Sequence, residues 1–558
     1  MARQRHNAKH QKPSVKHERV ERREHKLELK ARKHAESEAS HVQRAEELDT
    51  QHSEYVPSLS VLFRFLALVR VSGALLSPIQ DCDEVYNYWE PLHFLQFGAG
   101  KQTWEYSPQY SLRSYAYLHI YDVLIRSMHL VIGFRTKTQV FYALRVCLAL
   151  MSALCEAVFV RSVAQHVDRR MANYVWLGVF GMAGMFHAAH AVLPTSFAMC
   201  LCMLGSAAAM VPPVSDVKRH MRNRAVPAIG AFALAVCAGW PYAGLVAVPF
   251  VLEEMLTSRT TASVAGERAM GQLLDGHFLL LFRLLPFYLV LVVFSLQAHK
   301  EERFLSIVYP HLSFCASAAL SMASPLRAWT CAQLGRRSRG GQSRAGFLVL
   351  AGAACVGMLR MTALVKYYGA PVRAFMELPT SNITGLLPLG PSIKGLRTEQ
   401  PLHNDLDRVV CMGGAWYWFP SSYWLPRGYH LQFVRELGGV DGHLPGDFVP
   451  AKASGSVQKS TSVERPDFNA RNEWEPSHAI ELSQCDYAVD IEYPMREEPG
   501  LARSSEWQQV GMCHSVLDPA NTSVLARMVY VPHVLAWMAG QRQEWGQMCV
   551  YERRNPIA

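Results

Sequence analysis

The apolar residues of this chain fall into windows of about 20 residues, separated by shorter polar segments. A window of that length can cross a bilayer as an α-helix, because each residue adds about 1.5 Å to the helix axis. The pattern therefore predicts a multi-spanning α-helical membrane protein, with windows at 59–77, 139–163, 172–192, 276–297, 303–323 and 346–365, and further ones at 115–134, 194–214 and 226–252.

Two of these windows leave the path of the chain open. The window at 115–134 carries His, Asp and Arg, so it either spans the membrane or lies flat in the interface as an amphipathic helix. The window at 226–252 is interrupted near Gly239-Trp240-Pro241, which indicates a hairpin. We favour a flat helix and a hairpin, because this path keeps three basic links in the cytosol, as the positive-inside rule requires: 168–170, 218–224 and 336–339.

The positive charge is concentrated at the N-terminus. The formal net charge is +10, and residues 1–33 hold 12 Lys and Arg against 4 Glu. A tail this polar cannot bury a core, so we expect residues 1–57 to be disordered or a transient helix on the cytosolic leaflet. No nucleic-acid partner is expected, since the charge does not cover a folded face. The first apolar window would serve as the insertion signal, with no cleaved signal peptide.

With the tail in the cytosol, the first window delivers the next polar stretch to the luminal side. We expect a transmembrane module at 58–365, with its first luminal loop at 78–114, and a luminal mixed α/β domain at 366–558. The lumen permits disulfides among the four cysteines of that domain, whose pairing the sequence leaves open: Cys411, Cys485, Cys513 and Cys549.

The densest chemistry lies in a polar and aromatic stretch at 81–113. Its acids Asp81, Asp83 and Glu84 cannot all be half buried and ionised without a cation, a donor network or a raised pKa. Three interpretations are open. Asp81 or Asp83 caps a helix; or a carboxylate acts as general base among rings that stack on a cyclic substrate; or Asp81 and Asp83 hold a divalent ion against a diphosphate.

A second polar cluster, residues 299–303, lies between two apolar windows. Its Lys and Arg either snorkel at the membrane interface or clamp the phosphate of a lipid-linked substrate, because Arg offers a forked set of donors. The aromatic stretch at 416–424 is either core or part of an acceptor groove. No Gly-rich nucleotide-binding loop is evident in the sequence, which leaves a nucleotide-sugar donor bound in that way unsupported.

Three blocks carry a family resemblance: 83–91 with 102–108 and 113–115, then 299–304, then 416–422. They resemble the dolichyl phosphate mannose-dependent α-1,2-mannosyltransferases of asparagine-linked glycosylation, which are endoplasmic-reticulum membrane enzymes with the glycosyltransferase C-type fold of family 22. The resemblance implies the same fold here, with an active site in the lumen. It also implies transfer of mannose, with inversion, from dolichyl phosphate mannose to a dolichyl-diphosphate-linked oligosaccharide.

The resemblance further implies site residues. Asp83 is the expected general base, with Asp81 and Glu84 as competitors. The donor phosphate is expected to contact His299, Lys300, Arg303 and Arg113. The sugars are expected to contact Trp89, Glu90, Trp104, Glu105, Tyr106 and Trp416. No cofactor is expected, no metal ligand is assigned, and the membrane lipid is the remaining partner.

Two alternatives are kept. Within the class, the enzyme could be a related α-mannosyltransferase of glycosylphosphatidylinositol assembly or of α-1,6 extension. Outside it, the chain could be a multi-spanning lipid or solute transporter, for which charges at mid-bilayer and broken helices are expected. The charges gather instead at the predicted luminal face, which disfavours transport.

Overall fold

The computed structural model describes residues 55–214, 216–260, 276–333, 342–379, 408–439, 442–449, 456–494 and 500–554. The chain divides into two compact units, Met1–Val56 and Pro57–Ala558. The basic tail predicted at 1–57 therefore lies almost wholly outside the described residues, as does the basic link at 336–339.

Helices dominate the second unit up to residue 375. The α-helices are α1 (Leu59–Leu76), α2 (Cys82–Glu84), α3 (Glu90–Phe97), α4 (Tyr115–Ile132), α5 (Lys137–His166), α6 (Arg169–Gly181), α7 (Ala183–Ala188), α8 (Pro194–Ala209), α9 (Val217–His220), α10 (Val226–Leu234), α11 (Gly244–Thr260), α12 (Gly276–Leu296), α13 (Tyr309–Gln333), α14 (Gln342–Tyr368), α15 (Ala370–Phe375), α16 (Val457–Ser460), α17 (Val524–Met528) and α18 (His533–Met538). Single π-helical turns lie at Val85–Trp89, Met221–Ala225 and Ala235–Gly239.

Five helical stretches of the described residues are long and apolar enough to cross a membrane. They confirm the prediction of a multi-spanning α-helical protein. The 3₁₀ turn Glu302–Val308 runs into α13 and forms one of the five, while α14 and α15 together form another. The five stretches are Leu59–Leu76, Lys137–His166, Leu279–Leu296, Glu302–Met322 and Gly346–Phe375.

Two predicted windows are not single helices. The window at 172–192 is divided at Met182, whose extended backbone (ψ 115°) separates α6 from α7. Here α6 meets α14 backbone to backbone, because a Cβ on Gly357 would lie 1.7 Å from the carbonyl oxygen of Gly181. The window at 226–252 breaks at Trp240, which is extended (φ −129°), as its sequence predicted. The helix α4 covers the window at 115–134 and is not one of the five stretches identified above among the described residues.

One buried ion pair joins three helices of the membrane module. Arg70 of α1 contacts Glu156 of α5 at 2.8 Å, and both side chains are fully buried. The same guanidinium donates to the carbonyl oxygen of Val179 in α6 at 2.6 Å. A charge in the bilayer interior is tolerated when it is paired in this way, so the pair fixes how the three helices pack.

The C-terminal part folds around a five-stranded mixed sheet, which confirms the predicted mixed α/β class. Its order is β3-β2-β5-β7-β6, with β2 parallel to β3 and β5, and β7 antiparallel to β5 and β6. Two disulfides brace it, Cys411–Cys485 and Cys513–Cys549. The strands are β1 (Lys101–Gln102), β2 (Arg408–Met412), β3 (Tyr429–Phe433), β4 (Gly446–Asp447), β5 (Tyr487–Glu492), β6 (Trp507–Leu517) and β7 (Trp545–Arg553).

The stretch between the first two spanning helices packs against the C-terminal part. The strand β1 pairs with β4, and Trp89 packs on Phe141 of α5 and on Tyr423, with ring centroids 4.5 and 5.5 Å apart. A single apolar core runs through all three parts. The boundary predicted between residues 365 and 366, which separates the membrane module from the luminal domain, stays a prediction. The apolar core is continuous across it.

Candidate active site

The acidic residues begin a short interrupted helix. The carboxylate of Asp81 caps it, accepting from the backbone N–H of Asp83 at 2.9 Å. The helix α2, the π-helical turn Val85–Trp89 and α3 then follow without a gap until Gly98, whose left-handed conformation (φ 73°) ends the run. The capping interpretation is thus confirmed for Asp81. Asp83 is left with its side chain free for other contacts.

Arg303 supplies the cation that the acids require. It lies 220 and more positions away in the sequence, in the 3₁₀ turn Glu302–Val308. Its guanidinium contacts Asp83 Oδ2 at 2.5 Å and forms further ion pairs with Asp81 and Glu301. One arginine therefore bridges three carboxylates, and the second polar cluster meets the first. Burial raises the pKa of Asp81, and Arg303 opposes that rise.

The same two aspartates belong to a group with metal-binding geometry. Ligand atoms of Asp81, Cys82 and Asp83 lie within 4.8 Å of one another, and this is the one such group among the described residues. The Arg303 guanidinium already sits on both carboxylates. A divalent ion would have to displace it or share the site against its charge, so the donor set fits a metal poorly.

Glu84 faces inward, away from Arg303. Its Oε1 accepts from the indole N–H of Trp89 and from the backbone N–H of Val192, both at 3.0 Å. Burial raises the pKa of Glu84 to about 7, against the lowering effect of those two donors and of Arg145. This carboxyl is therefore balanced by a donor network and a raised pKa, with Arg145 acting on it by charge.

This burial makes folding stability depend on pH. An unfolded Glu titrates near 4.5 and the folded Glu84 near 7, so the stability that this one carboxyl contributes is fully present below pH 4.5, and up to about 3 kcal/mol of it is lost as the pH rises through 7. In Glu84→Gln the amide oxygen keeps both hydrogen bonds and cannot ionise. The unfolding midpoint of the variant, minus that of the wild type, should therefore increase from pH 5 to pH 8. A constant difference between the two midpoints would contradict the assignment.

A cavity of about 570 Å³ opens beside Arg303. Arg303 and Arg113 supply its positive charge, Tyr88 and Tyr106 line it as well, and much of the remaining wall is apolar. It reaches the break between α10 and α11, where Trp240 stacks on Phe304 at 5.6 Å. The lining is Tyr88, Tyr106, Leu112, Arg113, Ser114, Ala116, Tyr117, Ile120, Leu193, Pro194, Thr195, Cys237, Ala238, Gly239, Trp240, Arg303 and Phe304.

Arg113 is held in place by its neighbours. It donates to both carboxylate oxygens of Glu105, at 2.6 and 3.2 Å, and also to the hydroxyl of Tyr88. Its guanidinium lies 5.2 Å from the centre of the Tyr88 ring. All three nitrogens of Arg113 are thus engaged, and its positive charge is fixed in the cavity wall, where it can attract an anionic group such as a phosphate.

Two residues predicted to contact sugar have no surface in the cavity. Trp89 and Glu90 are 0 % exposed. The carboxylate of Glu90 accepts from the backbone N–H of Ser422 at 2.7 Å, from the hydroxyls of Ser421 and Ser422, and from the backbone N–H of Lys101. In this structure Glu90 joins α3 to the C-terminal part, and the sugar contact predicted for it has no opening.

Four other predicted residues are not among the described residues that line the cavity. Trp104 packs on Tyr110 with ring centroids 5.2 Å apart. Trp416 packs on Tyr86, and its carbonyl oxygen accepts from the Tyr86 hydroxyl at 2.8 Å. His299 is 76 % exposed and pairs with Glu301, while Lys300 is also exposed. The structure therefore brings Arg113, Tyr106 and Arg303 to the cavity, with Glu105, Asp81 and Asp83 one contact behind them.

Several lining residues were missed by the sequence reasoning. Tyr117 and Ile120 come from α4, and Trp240 comes from the helix break. The sequence Gly239-Trp240-Pro241 predicted the break itself. That break was the available signal for a cavity wall at this position. A helix interrupted beside a cavity is a frequent way to build a site within a membrane protein.

The sequence matches a known family. The model of the Alg9-like mannosyltransferase family matches residues 61–282 and 269–426. The α-1,2-mannosyltransferase Alg9 of Schizosaccharomyces pombe is 28 % identical, over 85 % of this chain and 92 % of its own. The α-1,2-mannosyltransferase ALG9 of Mus musculus is 31 % identical, over 86 % of this chain and 87 % of its own.

Among solved structures, the chain is similar to ArnT from Cupriavidus metallidurans bound to undecaprenyl phosphate. The TM-score is 0.35 at 14 % identity, covering 55 % of this chain and 71 % of that one. A likeness of this size adds no weight to the match in sequence.

Proposed function

The chain belongs to the Alg9-like mannosyltransferase family, and we propose that it forms α-1,2 linkages by transferring mannose to a lipid-linked oligosaccharide. It is a multi-spanning membrane glycosyltransferase. The observation that carries the proposal at the level of the site is the cavity, whose wall combines Arg113 and Arg303 with aromatic and apolar side chains. The membrane concerned is that of the endoplasmic reticulum, and the lipid of donor and acceptor is dolichol.

The cavity has the two surfaces that a lipid-linked donor requires. Two arginines suit the phosphate group by their positive charge, since both guanidinium groups line the cavity and are held there by neighbouring acceptors. Leu112, Ile120 and Trp240 form an apolar wall beside them that suits the first units of a polyprenyl chain. Tyr88 and Tyr106 add aromatic rings to the same wall, and the Tyr88 hydroxyl, which accepts from Arg113, still has its proton to donate to a sugar.

In the proposed reaction, the 2-hydroxyl oxygen of the acceptor attacks the anomeric carbon of mannose from the side opposite the phosphate. The new carbon–oxygen bond forms while the bond from that carbon to the phosphate oxygen breaks, and the polyprenyl phosphate leaves with the electron pair. Asp83 takes the proton of the attacking hydroxyl. Arg303 and Arg113 stabilise the negative charge that develops on the phosphate. One displacement gives one inversion, so no covalent enzyme intermediate is needed.

Asp83 suits the role of base better than its neighbours do. Asp81 already caps α2, and Glu84 is buried against Trp89 and Val192. The side chain of Asp83 is 44 % exposed and touches Arg303, which lines the cavity. It is therefore one side chain away from where the donor would lie.

The donor assay tests this function. Purified protein in lipid should transfer mannose from dolichyl phosphate mannose to a dolichyl-diphosphate oligosaccharide, and linkage analysis should find α-1,2 bonds. Because the arginine wall stands beside an apolar surface, GDP-mannose alone should give no product. Efficient transfer from GDP-mannose would contradict the donor, and α-1,6 linkages or transfer to a glycosylphosphatidylinositol acceptor would favour the related enzymes.

We also propose how the chain is oriented in the membrane, from the distribution of its positive charge. The basic N-terminal tail lies in the cytosol under the positive-inside rule, so the C-terminal sheet and the cavity face the lumen. An epitope placed at the C-terminus should therefore resist protease in sealed microsomes and be cut once detergent opens them. An epitope on the N-terminal tail is the matched control and should be cut in both. Removal of the C-terminal epitope from sealed vesicles would reverse the topology.

A further inference from the structure

Two short helices near the C-terminus carry their large apolar side chains outward. We call residues 524–538, which contain α17 and α18, the apolar hairpin. Within the two helices the buried residues are alanines, Ala526 and Ala536. Seven large apolar side chains are 52 to 74 % exposed: Val524, Leu525, Met528, Val534, Leu535, Trp537 and Met538. A helix that rests on a soluble domain shows the reverse order, with large apolar residues inside and small or polar ones outside.

The apolar hairpin is bonded to the side of a membrane helix. The backbone N–H of Tyr530 donates to the carbonyl oxygen of Leu359 at 3.0 Å, and Arg360 donates to the carbonyl oxygens of Arg527 and Met528. The hydroxyl of Tyr367 accepts from the backbone N–H of Val531 at 2.9 Å. These residues of α14 lie inside the candidate span Gly346–Phe375. The hairpin therefore lies beside part of a helix that is long and apolar enough to cross a bilayer.

The exposed surfaces of the apolar hairpin and of α14 are both apolar. Val356, Met358 and Leu359 of α14 are exposed as well, as expected for a helix that faces lipid. A patch of this composition in water is a liability, and it marks a surface that something apolar covers. Trp537, the most exposed of the seven, is of the residue type that membrane interfaces favour.

We propose that the apolar hairpin inserts into the leaflet on the side of the C-terminal sheet, with bilayer lipid as its partner. The hairpin is the connection between β6 and β7, whose last pair is Leu517 and Trp545. It would hold this end of the sheet on the membrane surface. The C-terminal part, which already packs on the stretch between α1 and α5, would then also be attached to the bilayer itself.

Depth-dependent quenching tests the proposal in the full-length protein. A fluorescent amino acid introduced at Met538 by stop-codon suppression is compared in vesicles of phosphatidylcholine with and without bromine on the acyl chains. We expect severalfold lower emission in the brominated vesicles. The matched label replaces Arg471, which is 82 % exposed in the C-terminal part, and should be unaffected. Equal emission in both vesicles for the Met538 label would overturn the proposal.

A second measurement identifies the occupant directly. A photo-reactive amino acid at Leu535 should form adducts with lipid, at a yield that does not change when the protein is diluted to one copy per vesicle. Adducts with a second copy of the chain, lost on dilution, would overturn the proposal in favour of a dimer interface. Neither measurement uses transfer activity, so failure of the hairpin proposal is separate from failure of the proposed function.

Discussion

Replacing Asp83 by Asn should lower the rate of mannosyl transfer by about 10²- to 10⁴-fold, because the amide keeps the shape of the side chain and cannot accept the acceptor proton. This corresponds to about 3 to 5 kcal/mol of activation free energy. The contact between Asp83 and Arg303 at 2.5 Å can persist in part, since an amide oxygen still accepts from the guanidinium. We therefore expect the loss in kcat, measured with radiolabelled donor, and a KM for the donor close to that of the wild type.

Asp81→Asn is the matched control. It removes the same charge two residues away, and Asn caps helices as well as Asp does, so α2 should still form. We expect the smaller loss of the two. If Asp83 served only to hold Arg303 against the donor phosphate, Asp83→Asn would raise the KM for the donor and leave kcat nearly intact. Normal turnover in folded Asp83→Asn protein would remove Asp83 from the mechanism.

The same pair of variants separates the base from a metal site. If Asp81 and Asp83 held a divalent ion, the two substitutions would be equally damaging, and a chelator would abolish turnover of the wild type. We expect a chelator to have no effect, because Arg303 already occupies the space between the two carboxylates. The three interpretations of the acidic stretch thus give three different patterns of kcat, KM and chelator response.

Much of the membrane module could be predicted from the sequence, because a bilayer imposes a length and a polarity on every spanning helix. The break at Trp240 was also legible, since Gly and Pro flank it. The division of the window at 172–192 was not. It depends on contact between Gly181 and Gly357, which lie far apart in the chain and meet only when α6 and α14 have packed.

The candidate site was predicted in its residue types and less well in its geometry. The acids of 81–84 needed compensation on physical grounds, and the sequence could not say which group supplied it. Arg303 supplies it to Asp81 and Asp83, whereas Glu84 is compensated by Trp89 and Val192. The polar stretch was predicted to lie in a luminal loop. It is largely buried instead, because residues more than 300 positions further along fold over it.

Glu90 shows that difference most plainly, and replacing it with Ala should destabilise the protein severely. The substitution leaves four donors without their acceptor in a site with no exposure to water: the backbone N–H groups of Lys101 and Ser422 and the hydroxyls of Ser421 and Ser422. Breaking one side of a buried charged network costs about 3 to 5 kcal/mol. We expect a lower midpoint of thermal unfolding in detergent. We also expect faster proteolysis within the stretch 81–113, because it loses its hydrogen bonds to the C-terminal part.

Two variants decide between this role and the sugar contact that the sequence predicted. Glu473→Ala removes a carboxylate that is 64 % exposed in the same C-terminal part, and should change stability by no more than about 0.5 kcal/mol. Glu90→Gln keeps the volume and one oxygen but turns an NH₂ group towards other donors, so its midpoint should fall between those of the wild type and Glu90→Ala. If Glu90 instead bound a sugar, Glu90→Gln would unfold like the wild type and raise the KM for the acceptor. The four hydrogen bonds that occupy both oxygens argue for the structural outcome, since no lone pair of this carboxylate faces the cavity where a sugar would lie.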